Sequence, residues 1–462
     1  MNSSTSTAIK MDSSSPSLHR IIVYLICTAL AIFAGRSEAV PSFARQTQLP
    51  CNSCHVGGFG PQLTPFGRQF KLMGYTIKAG DGPKVPLSMM LIESFTHTAK
   101  AQAEAPADGY SRNNNTELQQ ASLFLAGRIS DHMGVFAQAT YEDAAGIMGW
   151  DNADLRYART FTAGKHSGIW GLSLNNNPTV TDVFNTAPAW TWPFTSADLA
   201  PGAPAVPLLV DGLGGQVVGI NAYTQLDGTW YMEAGGYRSL SPSFLRKVNA
   251  DFDGQISGVA TYLRAARSWN LTGANVELGG FTLDTRRSLP GVNSAGNAVA
   301  MSGPTDHFRD IGVDASYQHF SKDGNTFTLN GLYVNEKQTL NATYGTGDSS
   351  NLHDSLNSLN VNGSYWFKDT WGATLGAFAY DGSADSGLYG DTSKPNTDGA
   401  MIEVDYNPFG QASSWAQPNA NMRIGAQYTA FSKFAGRSRN YDGTGRSASD
   451  NNTVYLYLWL AI

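Results

Sequence analysis

The sequence predicts an all-β protein, a transmembrane antiparallel β-barrel of about 16 strands. Three observations point to this fold. Only 15% of the 462 residues are charged and 11% are aromatic, whereas a typical soluble domain has about 25% charged residues. After residue 86, no apolar stretch reaches the length of about 20 residues that a membrane helix needs. Instead, short segments alternate apolar and polar side chains, as transmembrane strands do.

The alternation is clearest in 118–129, 356–367 and the final segment, 453–461. In 356–367 the two parities are apolar and polar: Leu359, Val361, Tyr365 and Phe367 against Ser358, Asn360, Asn362 and Ser364. The predicted strands are 87–98, 118–129, 134–141, 153–162, 168–174, 216–224, 229–237, 256–266, 270–284, 311–320, 326–336, 356–367, 371–380, 399–406, 421–431 and 453–461. An even count is typical of bacterial outer-membrane barrels.

The predicted connections alternate between long and short. Long gaps follow the odd-numbered strands, for example 99–117 and 142–152, short gaps follow the even-numbered ones, and 407–420 is intermediate. A soluble β-sandwich or propeller is not expected to sort its loops in this way. Because barrels of this class have long outer loops and short periplasmic turns, both termini are predicted on the periplasmic side of a bacterial outer membrane.

The longest predicted loop, 175–215, is rich in proline and carries Trp190 and Trp192. Two interpretations stay open. It folds into the lumen as a constriction, or it is an ordinary external loop.

Composition also excludes several classes of protein. The net charge of −6 argues against a nucleic-acid-binding protein that relies on electrostatics. Three cysteines are too few for a disulfide-dense scaffold.

Residues 1–39 have the layout of an export signal. A polar start with Lys10 and Arg20 precedes an apolar run from Ile21 to Phe33, and Ser37-Glu38-Ala39 places small residues around a cleavage site. This is the three-part pattern of a secretory signal peptide. Removal of the signal would also remove Cys27, leaving Cys51 and Cys54.

The remaining cysteines form a CxxCH motif, Cys51-Asn52-Ser53-Cys54-His55. This spacing predicts covalent attachment of one haem c, in which two thioether bonds hold the porphyrin and His55 binds the iron from one face. A disulfide or a zinc site is the alternative, but the mature chain has no further cysteine to complete a zinc site.

The segment 40–86 around this motif is predicted to be a monohaem cytochrome c segment, followed by a barrel, 87–462. It has too few large apolar residues for an independent core, so the haem and the barrel lumen are expected to complete its packing. Arg45 and Arg68 are candidates to pair with the anionic haem propionates, or else they belong to a solvated basic surface.

The second axial ligand is predicted to be Met90. The nearby candidates are Met73, Met89, Met90 and His97. Met90 shares strand parity with Ser88, Ser94, Thr96 and Thr98, and therefore faces the polar lumen. A Met/His ligand pair also raises the haem potential.

Several short segments around the CxxCH motif match a known family: Pro41-Ser42-Phe43-Ala44-Arg45-Gln46-Thr47, Leu63-Thr64-Pro65-Phe66-Gly67-Arg68-Gln69-Phe70-Lys71-Leu72, Gly74-Tyr75, Pro86-Leu87-Ser88 and Ser94-Phe95-Thr96-His97-Thr98. With the motif, they resemble the fused monohaem cytochrome–porins of iron-oxidising bacteria. The resemblance covers about residues 41–98, whereas across the barrel only the architecture is similar.

The resemblance implies an outer-membrane protein, surrounded by lipid, that takes electrons from extracellular Fe(II) and passes them inward to a periplasmic cytochrome or other carrier. As an enzyme it would be an iron:cytochrome c oxidoreductase. The alternatives are a solute porin with a structural haem plug and a conduit for a non-iron donor. An Fe(II) contact site at the loop carboxylates of Asp381, Asp385, Asp391 and Asp398 is a further, weaker hypothesis, because carboxylates suit hard cations.

Overall fold

The computed structural model describes residues 41–80 and 86–462. The predicted export signal, 1–39, lies outside these residues. The described chain forms one compact unit, a barrel whose lumen contains the segment 41–80, called here the lumen plug. None of the helices in the described ranges is long and apolar enough to cross a membrane.

Sixteen antiparallel strands form the barrel wall, which confirms the predicted fold class. In chain order, β1 to β16 are Leu87–Thr98, Asn115–Arg128, Met133–Glu142, Ile147–Ala163, His166–Asn175, Val217–Leu226, Trp230–Ser239, Ala260–Leu271, Ala274–Ser288, Asp306–Phe320, Thr326–Thr339, His353–Phe367, Trp371–Gly382, Thr397–Tyr406, Asn421–Lys433 and Thr453–Ala461. Each strand pairs with its neighbours in sequence, and β1 pairs with β16 from Met90↔Ala461 to Thr98↔Thr453. This last pairing closes the sheet, so the barrel wall has no unpaired edge strand within the described residues.

Helices and minor strands lie at the ends of the barrel or inside it. The α-helices of the described chain are α1 (Pro41–Thr47), α2 (Pro65–Leu72), α3 (Pro242–Lys247), α4 (Asn341–Thr346) and α5 (Ser386–Tyr389). Short 3-10 turns are Cys51–Ser53, Val56–Gly58, Pro188–Trp190, Gly390–Thr392 and Ala448–Asn451. The strand Gln255–Ile256 extends the sheet beside β9, and Pro290–Val292 pairs with Ala298–Ala300 in a loop hairpin.

The strands sort their side chains as the alternation predicts. In β2, Leu123 is 54% exposed on the outer surface, whereas the neighbouring Ser122 is fully buried on the lumen side. In β16, Leu456 and Leu458 point outward and Tyr455 and Tyr457 point inward. An apolar outer surface around a polar lumen is what a lipid environment requires of a barrel.

Two predicted connections are wrong. The short turn expected at 267–269 lies inside β8, because the outward-facing Arg267 interrupts the apolar parity there, and the turn is at 272–273 instead. The second is a long loop. The gap expected at 142–152 is only 143–146, because β3 and β4 continue as a hairpin. The register of this hairpin shifts between Ala137↔Ala153 and Ala139↔Trp150. The extra residue of a β-bulge reverses the parity of the side chains beyond it, and the apolar alternation used for the prediction is lost there.

The long loop between β5 and β6 folds into the lumen, which decides between the two interpretations left open by the sequence. Residues 176–216, called here the inward loop, place Val180, Phe184 and Leu209 in buried positions. Wall carboxylates hold the loop from one side: Glu336 accepts from the Leu208 N–H at 2.6 Å, and Asp310 from the Leu209 N–H at 2.8 Å.

The lumen plug is held by contacts within the plug and by contacts with the barrel wall. Its own small cluster joins Phe43 to Phe70 and Tyr75, with ring centroids 4.9 and 5.2 Å apart. The Tyr75 hydroxyl donates to Asp154 of β4 at 2.7 Å, and the Tyr223 hydroxyl of β6 donates to the Leu72 carbonyl at 2.9 Å. The barrel therefore supplies packing that a segment of this size cannot provide alone.

Candidate functional site

The CxxCH motif opens onto a cavity at the junction of the plug, the wall and the inward loop. The cavity has an empty volume of about 1200 Å³, including the space at its mouth. The plug contributes Cys51, Cys54 and His55, and the other elements contribute mainly large apolar side chains: Met90, Phe124, Phe136, Trp459, Trp190 and Phe194. Ligand pockets are lined mostly by apolar side chains with a few polar groups, so this cavity has the character of a cofactor site.

Local hydrogen bonds fix the motif in place. The His55 N–H donates to the Cys51 carbonyl at 2.9 Å, which closes a tight turn across the motif. Thr64 then joins the motif to α2. Its N–H donates to the Cys54 carbonyl at 2.9 Å, its hydroxyl donates to the Ser53 carbonyl at 2.6 Å, and its Oγ1 accepts from the Gly67 N–H. The Thr-Pro start of α2 is therefore the support on which the motif rests.

Burial keeps the three motif side chains neutral at pH 7. It raises the pKa of Cys54 to about 12, with a smaller contribution from Cys51. It also raises the pKa of Cys51, against the opposing effect of hydrogen bonds from Gln417. Burial lowers the pKa of His55 to about 4, and the nearby charge of Arg423 acts in the same direction. Neutral imidazole is the form that binds a metal, whereas buried neutral thiols are poor thiolate nucleophiles and zinc ligands.

Met90 is the one candidate distal ligand, of the four named from the sequence, that lines this cavity. It lies on the lumen side of β1, as its parity predicts. Met73 packs against a different cluster, around Leu72 and Phe184. His97 lies near the other end of β1, where its Nδ1 is 2.7 Å from Asn114.

The two arginines proposed for the propionates do not line the cavity. Arg45 donates to the Leu87 carbonyl at 2.7 Å and so joins α1 to the start of β1. Arg68 donates to Asn275 of β9 and, at 3.2 Å, to Ser316 of β10. Both guanidinium groups thus bind the plug to the wall, and a propionate role for either stays a prediction.

Sequence reasoning missed the wall residues that hold the motif. The Cys51 N–H donates to Gln417 at 2.9 Å, and Asn52 donates to Asp369 at 3.0 Å. Asn407, Asn421 and Arg423 donate to the backbone immediately after His55. These residues lie more than 300 positions from the motif, and no local pattern connects them to it.

Three carboxylates of the 381–398 loop are already used within the protein, and the side chain of the fourth, Asp391, lies outside the described residues. Asp381 accepts from Asn396, Asp398 lies 2.7 Å from the Lys433 ammonium, and Asp385 accepts from the backbone of Ser350 and Leu388. Within residues 41–80 and 86–462, no group of three or more His, Cys, Asp or Glu side chains is arranged to hold a metal ion.

The residues at the cavity fit a covalently attached haem. Cys51 and Cys54 are not joined in a disulfide, His55 Nδ1 is buried without a hydrogen-bond partner, and aromatic walls with a thioether surround them. One haem would be held by the two thiols and His55, with Met90 on the wall as the candidate second ligand.

The fold and this site together define a class: a porin-type outer-membrane barrel whose lumen carries an N-terminal plug with a CxxCH motif. Neither a protein-family model nor a curated protein sequence matches the chain. Among solved structures it is similar to the outer membrane channel DcaP of Acinetobacter baumannii, with 13% identity over 84% of this chain and 99% of that one, and a TM-score of 0.46.

Two further solved structures are similar over 81% of this chain. OprB of Pseudomonas putida is 9% identical over 93% of its own length, with a TM-score of 0.46. An anion-selective porin from Comamonas acidovorans is 12% identical over 98% of its length, with a TM-score of 0.44. Because these scores lie below 0.5, the barrel is assigned from the strand pairing and side-chain pattern described above.

Proposed function

We propose that this protein is an outer-membrane electron conduit with one haem c, which oxidises extracellular Fe(II) and passes the electrons to a periplasmic carrier. The observation that carries the proposal is the shared cavity of Cys51, Cys54, His55 and Met90. Thiols, an imidazole and a thioether in one apolar cavity are the groups that attach and ligate a haem of this type.

The position of the motif in the barrel supports electron transfer toward the periplasm. Asn52 contacts Asp369 in the short turn 368–370, and Cys51 contacts Gln417 in the connection 407–420. Both connections lie at the end of the barrel that carries the short turns, which in this class faces the periplasm. The haem and both chain termini would then lie on the periplasmic side, within reach of a soluble carrier.

The residues around the haem would set its reduction potential. His55 and Met90 would supply the two side-chain ligands to the haem iron, a pair that raises the reduction potential. The walls formed by Phe124, Phe136 and Trp459 keep water from the site, and a low-polarity environment further favours the reduced, less charged state. The closed sheet separates the electron route through the lumen from the apolar layer of the membrane, which is about 25 Å thick.

The test is an anaerobic visible spectrum of the detergent-purified protein before and after addition of Fe(II), with dithionite as the full-reduction control. We expect sharp α and β bands after Fe(II) at the pH at which the source organism grows. A Cys51→Ala/Cys54→Ala variant is the control and should show no covalent haem. Bands with dithionite alone would contradict iron as the donor, and no bands in a host that matures cytochromes would contradict the haem.

A solute porin with a structural haem is the second candidate, because a closed 16-stranded barrel is also the architecture of diffusion channels. The plug and the inward loop both occupy the lumen, which favours the conduit over free diffusion. A conduit for a donor other than Fe(II) would share every feature of the site and differ only in the reductant that produces the bands.

A further inference from the structure

Three side chains, two from β15 and one from the connection before it, hold the consecutive carbonyl groups of residues 57–59, close after His55. Asn407 donates to the Gly57 carbonyl at 2.6 Å, Asn421 to the Gly58 carbonyl at 2.5 Å, and Arg423 Nη2 to the Phe59 carbonyl at 2.9 Å. Each of residues 57–59 is therefore held to the barrel through its own carbonyl group. A side chain that holds these carbonyls also fixes the orientation of the imidazole two to four residues earlier.

The glycines of this segment show how close the approach is. Gly57 and Gly58 have φ values of 68° and 70°, which favour glycine. A Cβ atom on Gly57 would lie 2.4 Å from the Trp366 ring, and one on Gly58 would lie 2.5 Å from the Gly410 carbonyl oxygen. The loop after His55 thus packs directly against Trp366 of β12 and against the connection before β15.

Arg423 is unusual among the three because it carries a charge. It is 1% exposed, and its guanidinium carbon lies 4.7 Å from the Trp366 ring centroid, 5.5 Å from Phe59 and 5.9 Å from Trp459. Its ion-pair partner is Asp405, at 3.9 Å from Nε. Phe59 and Trp459 also line the cysteine cavity, so the guanidinium lies directly behind the cavity wall.

We propose that Arg423 is the positioning residue of the haem site: its hydrogen bond orients the His55 loop, and its buried positive charge raises the haem reduction potential. The inference rests on the proposed haem. Reduction adds one electron to a ferric haem and lowers its charge by one. A fixed positive charge nearby opposes the ferric state more than the ferrous state, so the charge favours reduction.

The experiment is a spectroscopic redox titration of the full-length, haem-loaded protein and of four variants, one of which is the uncharged control Asn421→Ala. Arg423→Gln removes the charge and can keep one hydrogen bond, and Arg423→Lys keeps the charge. Asp405→Asn removes the opposing charge while an oxygen remains for the Tyr457 hydroxyl, which donates to Asp405 at 2.8 Å. Heat-modifiable migration of the barrel in SDS gels serves as the folding control.

We expect Arg423→Gln to lower the equilibrium constant for haem reduction about tenfold, a shift of about 59 mV for a one-electron couple. Arg423→Lys should largely restore the potential, and Asp405→Asn should shift it in the opposite direction, upward. Asn421→Ala, which removes a neighbouring hydrogen bond without a charge, should shift it less than Arg423→Gln.

Equal potentials in the wild type, Arg423→Gln and Asp405→Asn would overturn the inference while the haem bands remained. A downward shift in Asn421→Ala as large as that in Arg423→Gln would overturn the charge effect. If Arg423→Gln does not fold, Asp405→Asn still decides the sign. Absence of covalent haem in the wild type is a different result, and it would contradict the proposed function itself.

Discussion

Two buried arginine residues of the wall hold the inward loop in place. Arg156 of β4 is fully buried, donates to Asp154 at 2.5 Å, and donates to the Thr181 carbonyl of the inward loop at 2.6 Å. Arg264 bridges Asp182 of that loop and Asp314 of β10. Buried charges of this kind need several partners, and these partners connect the plug, the loop and the wall.

Met90 allows a test at the scale of one side chain. If its sulfur is the second axial ligand, Met90→Ala should lower the haem potential and change the visible spectrum, because the Met/His pair is lost. Met89→Ala is the matched control, since the neighbouring side chain lies on the opposite face of β1. A redox titration of both variants decides the point, and an unchanged potential and spectrum in Met90→Ala would exclude Met90 as the ligand.

Among the elements, α2 supports the CxxCH motif directly. Gly67, in its first turn, lies so close to the motif that a Cβ atom would be 2.2 Å from the Cys54 carbonyl oxygen. The helix also carries Arg68 and Lys71, which reach the wall and the inward loop. Arg68 donates to Ser316, and the Lys71 ammonium donates to Asn185 at 2.7 Å. This short helix therefore links the motif to two other parts of the barrel.

Gly67→Ala should push α2 away from the motif. Overpacking of this kind costs about 1–3 kcal/mol, and we expect a lower thermal stability together with less covalent haem per barrel. Gly202→Ala is the matched control, because a Cβ atom at Gly202 meets no heavy atom within 4 Å. Melting curves and the haem-to-protein ratio measure the effect, and two variants with equal haem content would show that this contact does not support the motif.

At the scale of the whole molecule, two segments from distant parts of the chain share one lumen. The inward loop contacts the plug through Asn185, whose Nδ2 donates to the Pro61 carbonyl at 2.7 Å. It contacts the far wall through Asn360, which donates to the Trp192 carbonyl at 2.7 Å, and through Gln119, which donates to the Ser196 carbonyl at 2.7 Å. A lumen filled by the plug and the inward loop differs from the open lumen of a diffusion pore.

Channel conductance tests this consequence. In planar bilayers the wild-type protein should conduct ions poorly, and a variant lacking residues 41–80 should conduct several times more, because the plug no longer occupies the lumen. Heat-modifiable migration in SDS gels would show that the variant barrel is folded. A large conductance in the wild type would instead favour the porin alternative.

The sequence by itself determined the barrel and its strand count, and it predicts the chemistry of the motif. Strand alternation and CxxCH spacing are local patterns, because side chains two apart share a face of a strand and the cysteines and histidine lie within five residues. The lumen side of Met90 followed from the same parity. The 142–152 loop failed because a bulge interrupts that parity.

Only the tertiary structure decided what surrounds the motif. Arg423, Asn421 and Gln417 reach it because β15 and the connection before it pass the plug when the barrel closes, although the sequence separates them by more than 300 residues. The same closure directs Arg45 and Arg68 to the wall and draws the inward loop into the lumen. Contacts of this kind depend on sheet closure and packing, which no local pattern of residues encodes.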